Sequence, residues 1–259
     1  MLNLDVTQLQ HWLGVLFWPF ARIGACVMVA PVFGASYVPR RLRIAMAGAL
    51  TLPVAAMLPQ SADIELLSMA GVVVTIQQLL IGAALGFALQ LVFDALGLGG
   101  QLLANGMGLG FAFNLDPLRG VTTPALGQLY VVLGTLTFLA LDGHVALLST
   151  LVDSFRGLPI GSNGFDAAHF RAMADWGGVL FAGGLRVALP GMTALLVINL
   201  AFGVMSRAAP SLNLFAVGLP VTLLFGLAIV TLGMPTIGAA FTALLTDTFG
   251  FMNALTASR

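Results

Sequence analysis

Apolar positions in this chain come in long uninterrupted blocks. Seven stretches contain no Asp, Glu, Arg or Lys: residues 23–39, 44–62, 66–93, 95–115, 120–141, 187–206 and 208–246. A helix needs about 20 apolar residues to cross the hydrocarbon of a bilayer, so most of these blocks have the length of a membrane helix. The last is 39 residues long and holds Pro220 and Pro235. An interior proline removes a backbone hydrogen bond and clashes with the preceding turn, so this block is expected to form two helices joined by a turn near Gly233-Met234-Pro235. The pattern predicts an all-α membrane-complex protein of six to eight apolar, kinked helices, arranged as an N-terminal bundle plus a C-terminal helical hairpin.

The polar interruptions are few and sharpen this picture. The longest connection runs from Asp153 to Asp175, with Gly and Asn punctuation at 159–164 and a short helix expected from Ala167. It is the candidate boundary between bundle and hairpin. Arg22 stands inside the apolar stretch 13–35, where a mid-bilayer arginine costs roughly 2.5–3.5 kcal/mol on insertion scales. It must be paired, near an interface, or out of lipid. Asp94 alone separates two long blocks, and Arg186 opens another just before Pro190. Small-residue spacings such as Gly82/Gly86 and Gly106/Gly110 let helix backbones approach closely. Together these features describe one part of a tightly packed assembly.

Composition narrows the chemistry. The chain is 59% hydrophobic and 8% charged, with ten arginines, ten acidic residues and no lysine. Without lysine there is no P-loop amine, no Schiff base and no Ser-Lys hydrolase. Zero net charge argues against nucleic acid as a partner. The single cysteine, Cys26, excludes an internal disulfide framework and a multi-cysteine zinc site. No Lys or Arg precedes Arg22, so the first apolar segment lacks the basic start of a cleaved signal peptide and is expected to be retained. Arg40, Arg41 and Arg43 suggest a cytoplasmic loop, followed by an Arg-free loop with Asp63 and Glu65. No enzyme, cofactor or metal site is expected.

Three constellations carry alternatives. Asp142, His144 and Asp153 read either as a proton relay or part of a metal site, or as hydrated or capping residues at a helix end; three histidines in all are few for a metal site. His11 and His169 read as interfacial residues. The stretch from Ser36 to Arg43 reads either as a membrane-flanking loop with positive-inside arginines or as a docking edge for a neighbouring subunit. Residues 107–117, MGLGFAFNLDP, read either as a glycine-rich packing face followed by a turn or as a pore-lining or re-entrant loop. Each glycine there weakens helix by roughly 1 kcal/mol against Ala, and irregular backbone at membrane depth survives only where protein buries it or it lines a cavity.

At these residues a resemblance enters. Arg22-Ile23-Gly24, APVFGASYVPRRLRIAMAGALTLPVA, QLLIGAALGFALQLVFDAL, GMGLGFAFNLDP, FLALDGHVALLSTLVDSF with LPIG, and MSRAAPSLNLFAVGLPVTLLFGL resemble, in consistent order over residues 22–227, the FliR family of flagellar export-gate proteins. The LDGH and LPIG segments look more like the flagellar branch than the injectisome branch. The resemblance implies a non-enzymatic, channel-forming subunit of the flagellar type III export gate. It implies a FliP-like part over residues 1–165 and a FliQ-like hairpin part over 166–259. It further implies assembly with FliP-like and FliQ-like subunits, together with FlhB-like and FlhA-like export proteins, passage of unfolded flagellar substrates, and a multi-pass location in the bacterial inner membrane within the basal body. The family's plug loop maps onto Gly106, Gly108, Gly110, Phe111, Phe113, Asp116 and Pro117. Assembly and packing positions map onto Pro39, Arg40, Arg43, Arg207, Pro210, Asn213, Phe215, Gly218 and Pro220. Asn114 stands where a more apolar or hydroxyl residue is expected. The competing reading is a proton-coupled multi-pass transporter of small solutes using Asp94, Asp142 and His144.

Overall fold

In the computed structural model, residues 6–58, 64–109, 125–161, 164–208 and 214–257 are described. They form eight helices: α1 (Val6–Val29), α2 (Arg40–Met57), α3 (Met69–Gly106), α4 (Ala125–Ala140), α5 (Gly143–Gly157), α6 (Ala167–Trp176), α7 (Gly178–Ala208) and α8 (Leu214–Thr256). The all-α architecture expected from the apolar blocks is what the chain adopts. Three runs are long and apolar enough to cross a bilayer, Met69–Gly106, Ala167–Ala208 and Gly218–Thr256, and α4 with α5 passes the same test only as a pair.

Two expectations about helix ends are corrected. Residues 208–246 do not break near Pro235; α8 carries both Pro220 and Pro235 inside one continuous helix. Proline removes one hydrogen bond, whereas a full break in apolar surroundings would leave several backbone groups unsatisfied, so the helix continues through both. Asp94 likewise does not divide two helices but lies exposed within α3. The short helix expected from Ala167 forms as α6, where Asp166 caps the first turn.

Two compact units share the chain. The first comprises Met1–Gln90, Asp142–Gly177 and Asp247–Arg259. Within it α1 and α3 cross closely. A Cβ on Gly82 would lie 2.0 Å from the carbonyl oxygen of Arg22, and one on Gly86 would lie 2.7 Å from that of Cys26. The Gly82/Gly86 spacing is thus a backbone-to-backbone crossing, which no larger residue permits. Trp18 donates Nε1 to Thr75 Oγ1 at 3.2 Å across the same pair. At the far end of the chain Trp176 stacks on Phe251, with ring centroids 4.3 Å apart.

The second unit comprises Leu91–Leu141 and Gly178–Thr246. Phe93 meets Phe138 and Phe241 edge-on, each at 5.5 Å between centroids, and all three rings are buried. Helices α3 and α4 cross where Gly100 faces Gly127, a Cβ on the former falling 2.7 Å from the latter's Cα. On α7, Gly183 abuts Leu244 and Gly191 abuts Ile229. Rising numbers on α7 meet falling numbers on α8, so the two helices pack antiparallel.

Candidate functional site

The candidate site lies at the C-terminal end of α3, where the sequence departs from a good helix. Gly106 is the last residue of α3, and a Cβ there would meet Leu195 Cδ1 at 3.3 Å. Asn199 Nδ2 donates to the Gly106 carbonyl at 3.4 Å. Gly108 has φ +80, the left-handed region that glycine enters without a Cβ clash. Leu109 N donates to Ala104 O at 3.0 Å and Gly108 N to Asn105 O at 3.1 Å. These two bonds, six-to-one and five-to-two, form a Schellman motif with Gly108 at the position after the helix cap. Alternating glycines at 106 and 108 therefore have different tasks. Gly106 admits a neighbouring helix, and Gly108 stops its own.

Beside this stop lies an apolar groove of about 600 Å³ lined by Met107, Leu109, Leu126, Pro220, Leu223 and Leu227, among others. Met107 packs tightly on α8, since a Cβ on Gly226 would fall 2.4 Å from Met107 Cγ. Leu109 and Ala125, the described residues on either side of 110–124, both line it. Gly110, Phe111, Phe113, Asp116 and Pro117 lie outside the described residues, as do Pro210 and Asn213. Pro220 joins the groove wall; Gly218 precedes it in α8, and its carbonyl accepts from Thr222 Oγ1 at 3.0 Å. Phe215 falls in the first turn of α8. Arg207 sits exposed in the last turn of α7, the end where a cation complements the helix dipole.

The basic edge is a separate feature, in the first unit. Pro39 occupies the N-cap of α2 with φ −60, and Arg40 begins the helix, exposed. Arg43 turns back, donating Nη2 to Ala35 O at 2.6 Å and to Val38 O at 3.0 Å.

Of the proton-relay constellation, Asp142 and Asp153 do not lie side by side along α5. Asp142 is the exposed N-cap of α5 with φ 54, while Asp153 is exposed and paired with Arg156 at 3.0 Å. Eleven residues of helix place them about 16 Å apart. His144 Nδ1 is buried with no hydrogen-bond partner among the described residues. No group of three or more His, Cys, Asp or Glu converges among the described residues.

Sequence reasoning left Arg22 paired, near an interface or out of lipid, and named no partner. The guanidinium is fully buried, donates Nε to Gln78 Oε1 at 2.8 Å, Nη1 to Ser154 O at 2.8 Å and Nη2 to Leu158 O at 2.7 Å, and lies 4.1 Å from the centroid of the Phe155 ring. The partners are neutral: an amide, two carbonyls at the C-terminal end of α5 and an aromatic face. None of them is marked by charge in the sequence, so only the arginine signalled the site. The groove leucines were missed for a similar reason, as apolar residues within apolar blocks.

Residues 13–248 match the family described as bacterial export proteins, family 1. The chain is similar to flagellar biosynthetic protein FliR of Escherichia coli (strain K12), 36% identical over 252 residues that cover 97% of this chain and 96% of that protein. It is similar to the protein of the same name from Pectobacterium carotovorum subsp. carotovorum, 40% identical over 90% of this chain and 88% of that one. The Aquifex aeolicus (strain VF5) counterpart is 30% identical over 90% of each.

Proposed function

The chain belongs to the FliR family of bacterial export proteins, and on that premise we propose that it is a channel-forming subunit of the flagellar type III export gate in the bacterial inner membrane. A role in flagellar protein export and a place among membrane-embedded export components follow from the family and from the apolar helices. The finer reading is that this subunit assembles with FliP-like and FliQ-like chains, contacts FlhB-like and FlhA-like proteins, and lets unfolded flagellar proteins through.

One observation carries the gating part of this reading: α3 is stopped by the Schellman turn at Gly108, directly before the segment with Gly110, Phe111, Phe113, Asp116 and Pro117. A firm helix stop gives a fixed point from which such a segment can close a lumen. Aromatic side chains fill space, and an Asp-Pro step restricts the backbone on the exit side. The antiparallel packing of α7 on α8 supports the FliQ-like hairpin over 166–259, with 1–165 as the FliP-like part. On this reading Arg207, Pro210, Asn213, Phe215, Gly218 and Pro220 shape the turn of that hairpin where the next subunit packs. Pro39 and Arg43 serve assembly by fixing the loop before α2.

Purification through a tag on this chain tests the proposal. FliP-like and FliQ-like chains are expected in the same particle, and deleting 108–116 is expected to make the assembled gate leak ions. A chain that purifies alone as a monomer or small homo-oligomer would overturn the export-gate reading. Unchanged leakage after the deletion would overturn the plug.

A further inference from the structure

We propose that Arg40 and Arg41, at the start of α2, bind the headgroup of an anionic phospholipid, with Tyr37, Leu42 and Ile44 lying at the boundary with its acyl chains. The inference rests on the membrane location argued above. It begins with charge. No acidic residue occurs between Arg22 and Asp63, so Arg40, Arg41 and Arg43 stand together without a counter-ion in sequence. The first turn of α2 has no acidic side chain, and its N-cap, Pro39, contributes no side-chain hydrogen bond. Cations are thus gathered at the positive end of a helix dipole, an arrangement that an external anion relieves.

Geometry separates the three arginines. Arg43 is committed to the chain itself through Ala35 O and Val38 O. Arg40 and Arg41 are exposed and make no hydrogen bond or ion pair among the described residues. The loop that presents them is closed by its own bonds, Phe33 N to Pro31 O at 2.8 Å around Val32 with φ 68, Gly34 N to Ala30 O at 2.8 Å, and Val38 N to Ala35 O at 2.9 Å. Both guanidinium groups are therefore held on a fixed platform, and a guanidinium fork suits phosphate oxygens.

The surroundings favour a lipid over an acidic protein segment. Tyr37 is 72% exposed, and Leu42 and Ile44 are about half exposed beside the arginines. Phenol, guanidinium and aliphatic side chains side by side are the composition of a membrane–water interface.

The test uses the full-length tagged chain with whatever subunits accompany it, purified in mild detergent, its retained lipid quantified by mass spectrometry. Phosphatidylglycerol retained per chain is expected to fall roughly 25-fold in R40Q/R41Q, because each basic residue near an anionic surface contributes roughly a fivefold factor. R40K/R41K, which keeps the charge, is expected to retain most of it. In nanodiscs, adding phosphatidylglycerol to a neutral lipid is expected to raise the thermal midpoint of the unaltered chain, a readout that needs no variant to fold. Equal retention in R40Q/R41Q, or no lipid dependence of the midpoint, overturns the proposal. Loss of a co-purifying subunit with lipid unchanged overturns it in favour of a protein-docking edge. Co-purification of FliP-like and FliQ-like chains in the same preparation reports separately on the export-gate reading.

Discussion

Arg22 and Ser154 are joined by two hydrogen bonds, Nη1 donating to the serine carbonyl at 2.8 Å and to its hydroxyl at 3.1 Å, with both residues fully buried. The bonds tie α1 to the last turn of α5, where Ser154 O also accepts from Leu158 N at 2.9 Å. With Leu158 O as a further acceptor, the guanidinium caps that helix end, and the negative pole of the helix dipole stands in for a carboxylate. Removing the arginine takes the donor from Gln78 Oε1 and Leu158 O in an apolar interior, whereas Ser154 keeps the bonds of its carbonyl from Leu158 N and of its hydroxyl to Leu151 O. Arg22→Ala is expected to cost about 1–3 kcal/mol for each buried acceptor left unpaired. Arg22→Lys is expected to recover only part, since one ammonium does not reproduce the fork. Thermal unfolding in detergent checks both, and an unchanged midpoint for the alanine variant would refute the capping role.

Gly82 tests the α1–α3 crossing. Its would-be Cβ lies 2.0 Å from the Arg22 carbonyl oxygen, and that neighbour is backbone, which cannot rotate aside. Gly82→Ala is expected to destabilise by about 1–3 kcal/mol, the usual cost of overpacking. Gly48 is the control: it lies within α2 with nothing inside 4 Å of its Cβ direction. Gly48→Ala is expected to stabilise by roughly 0.5–1 kcal/mol, the helical preference for alanine. Opposite shifts of the melting temperature are the expected pair; equal shifts would show that the crossing is looser than described.

These two glycines also mark what the sequence made legible. The Gly82/Gly86 spacing announced close packing, because only glycine permits it, and the charge-free blocks announced helices. Arg22 announced a charge that must be paired, near an interface or out of lipid, because an unpaired charge at mid-bilayer is costly. The partners stayed hidden, since a backbone carbonyl is carried by every residue and Gln78 and Ser154 are common polar residues. The continuity of α8 through Pro235 was misjudged because local proline chemistry was weighed without the cost of breaking a long apolar helix. At the candidate site, Gly108 was legible as a departure from helix, while the groove of Met107, Leu109 and the α8 leucines was not.

Gly108 separates backbone strain from steric clash. Its Cβ direction meets Leu219 Cγ at 3.7 Å, an ordinary contact without a clash, so the cost of Gly108→Ala comes from φ +80. Gly108→Ala is expected to cost about 1–2 kcal/mol, the left-handed penalty for a residue with a Cβ. Gly108→Asn is expected to cost less, as Asn also serves at this position of helix ends, and Gly108→Val more. If the turn is the fixed foot of a plug, swimming motility should follow the same order, with Asn retaining most of it and Val little. Motility that ignores the order while stability follows it would leave the turn structural and remove it from gating.

The start of α6 provides a pH test outside the apolar core. Asp166 Oδ1 accepts the His169 backbone N–H at 3.0 Å and lies 2.6 Å from His169 Nδ1, whose ring stacks on Phe165. The amide bond first, and the ring second, hold the Asp166 carboxyl below its ordinary value of 3.8. A folded value lower than the unfolded one means that the cap contributes fully above the unfolded value and is lost as pH falls through the lowered one. Protection of the first-turn amides of α6 should therefore stay level from about pH 8 to pH 5 and drop only in the acid range of carboxylates. In a His169→Gln background a capping box remains without the imidazole, so the acid loss should persist there. Asp166→Asn keeps the acceptor oxygen and should abolish the acid loss, whereas Asp166→Ala should lower protection at every pH. Hydrogen exchange, corrected for intrinsic rate, reads all three. Acid loss that survives Asp166→Asn would assign the titration to another group.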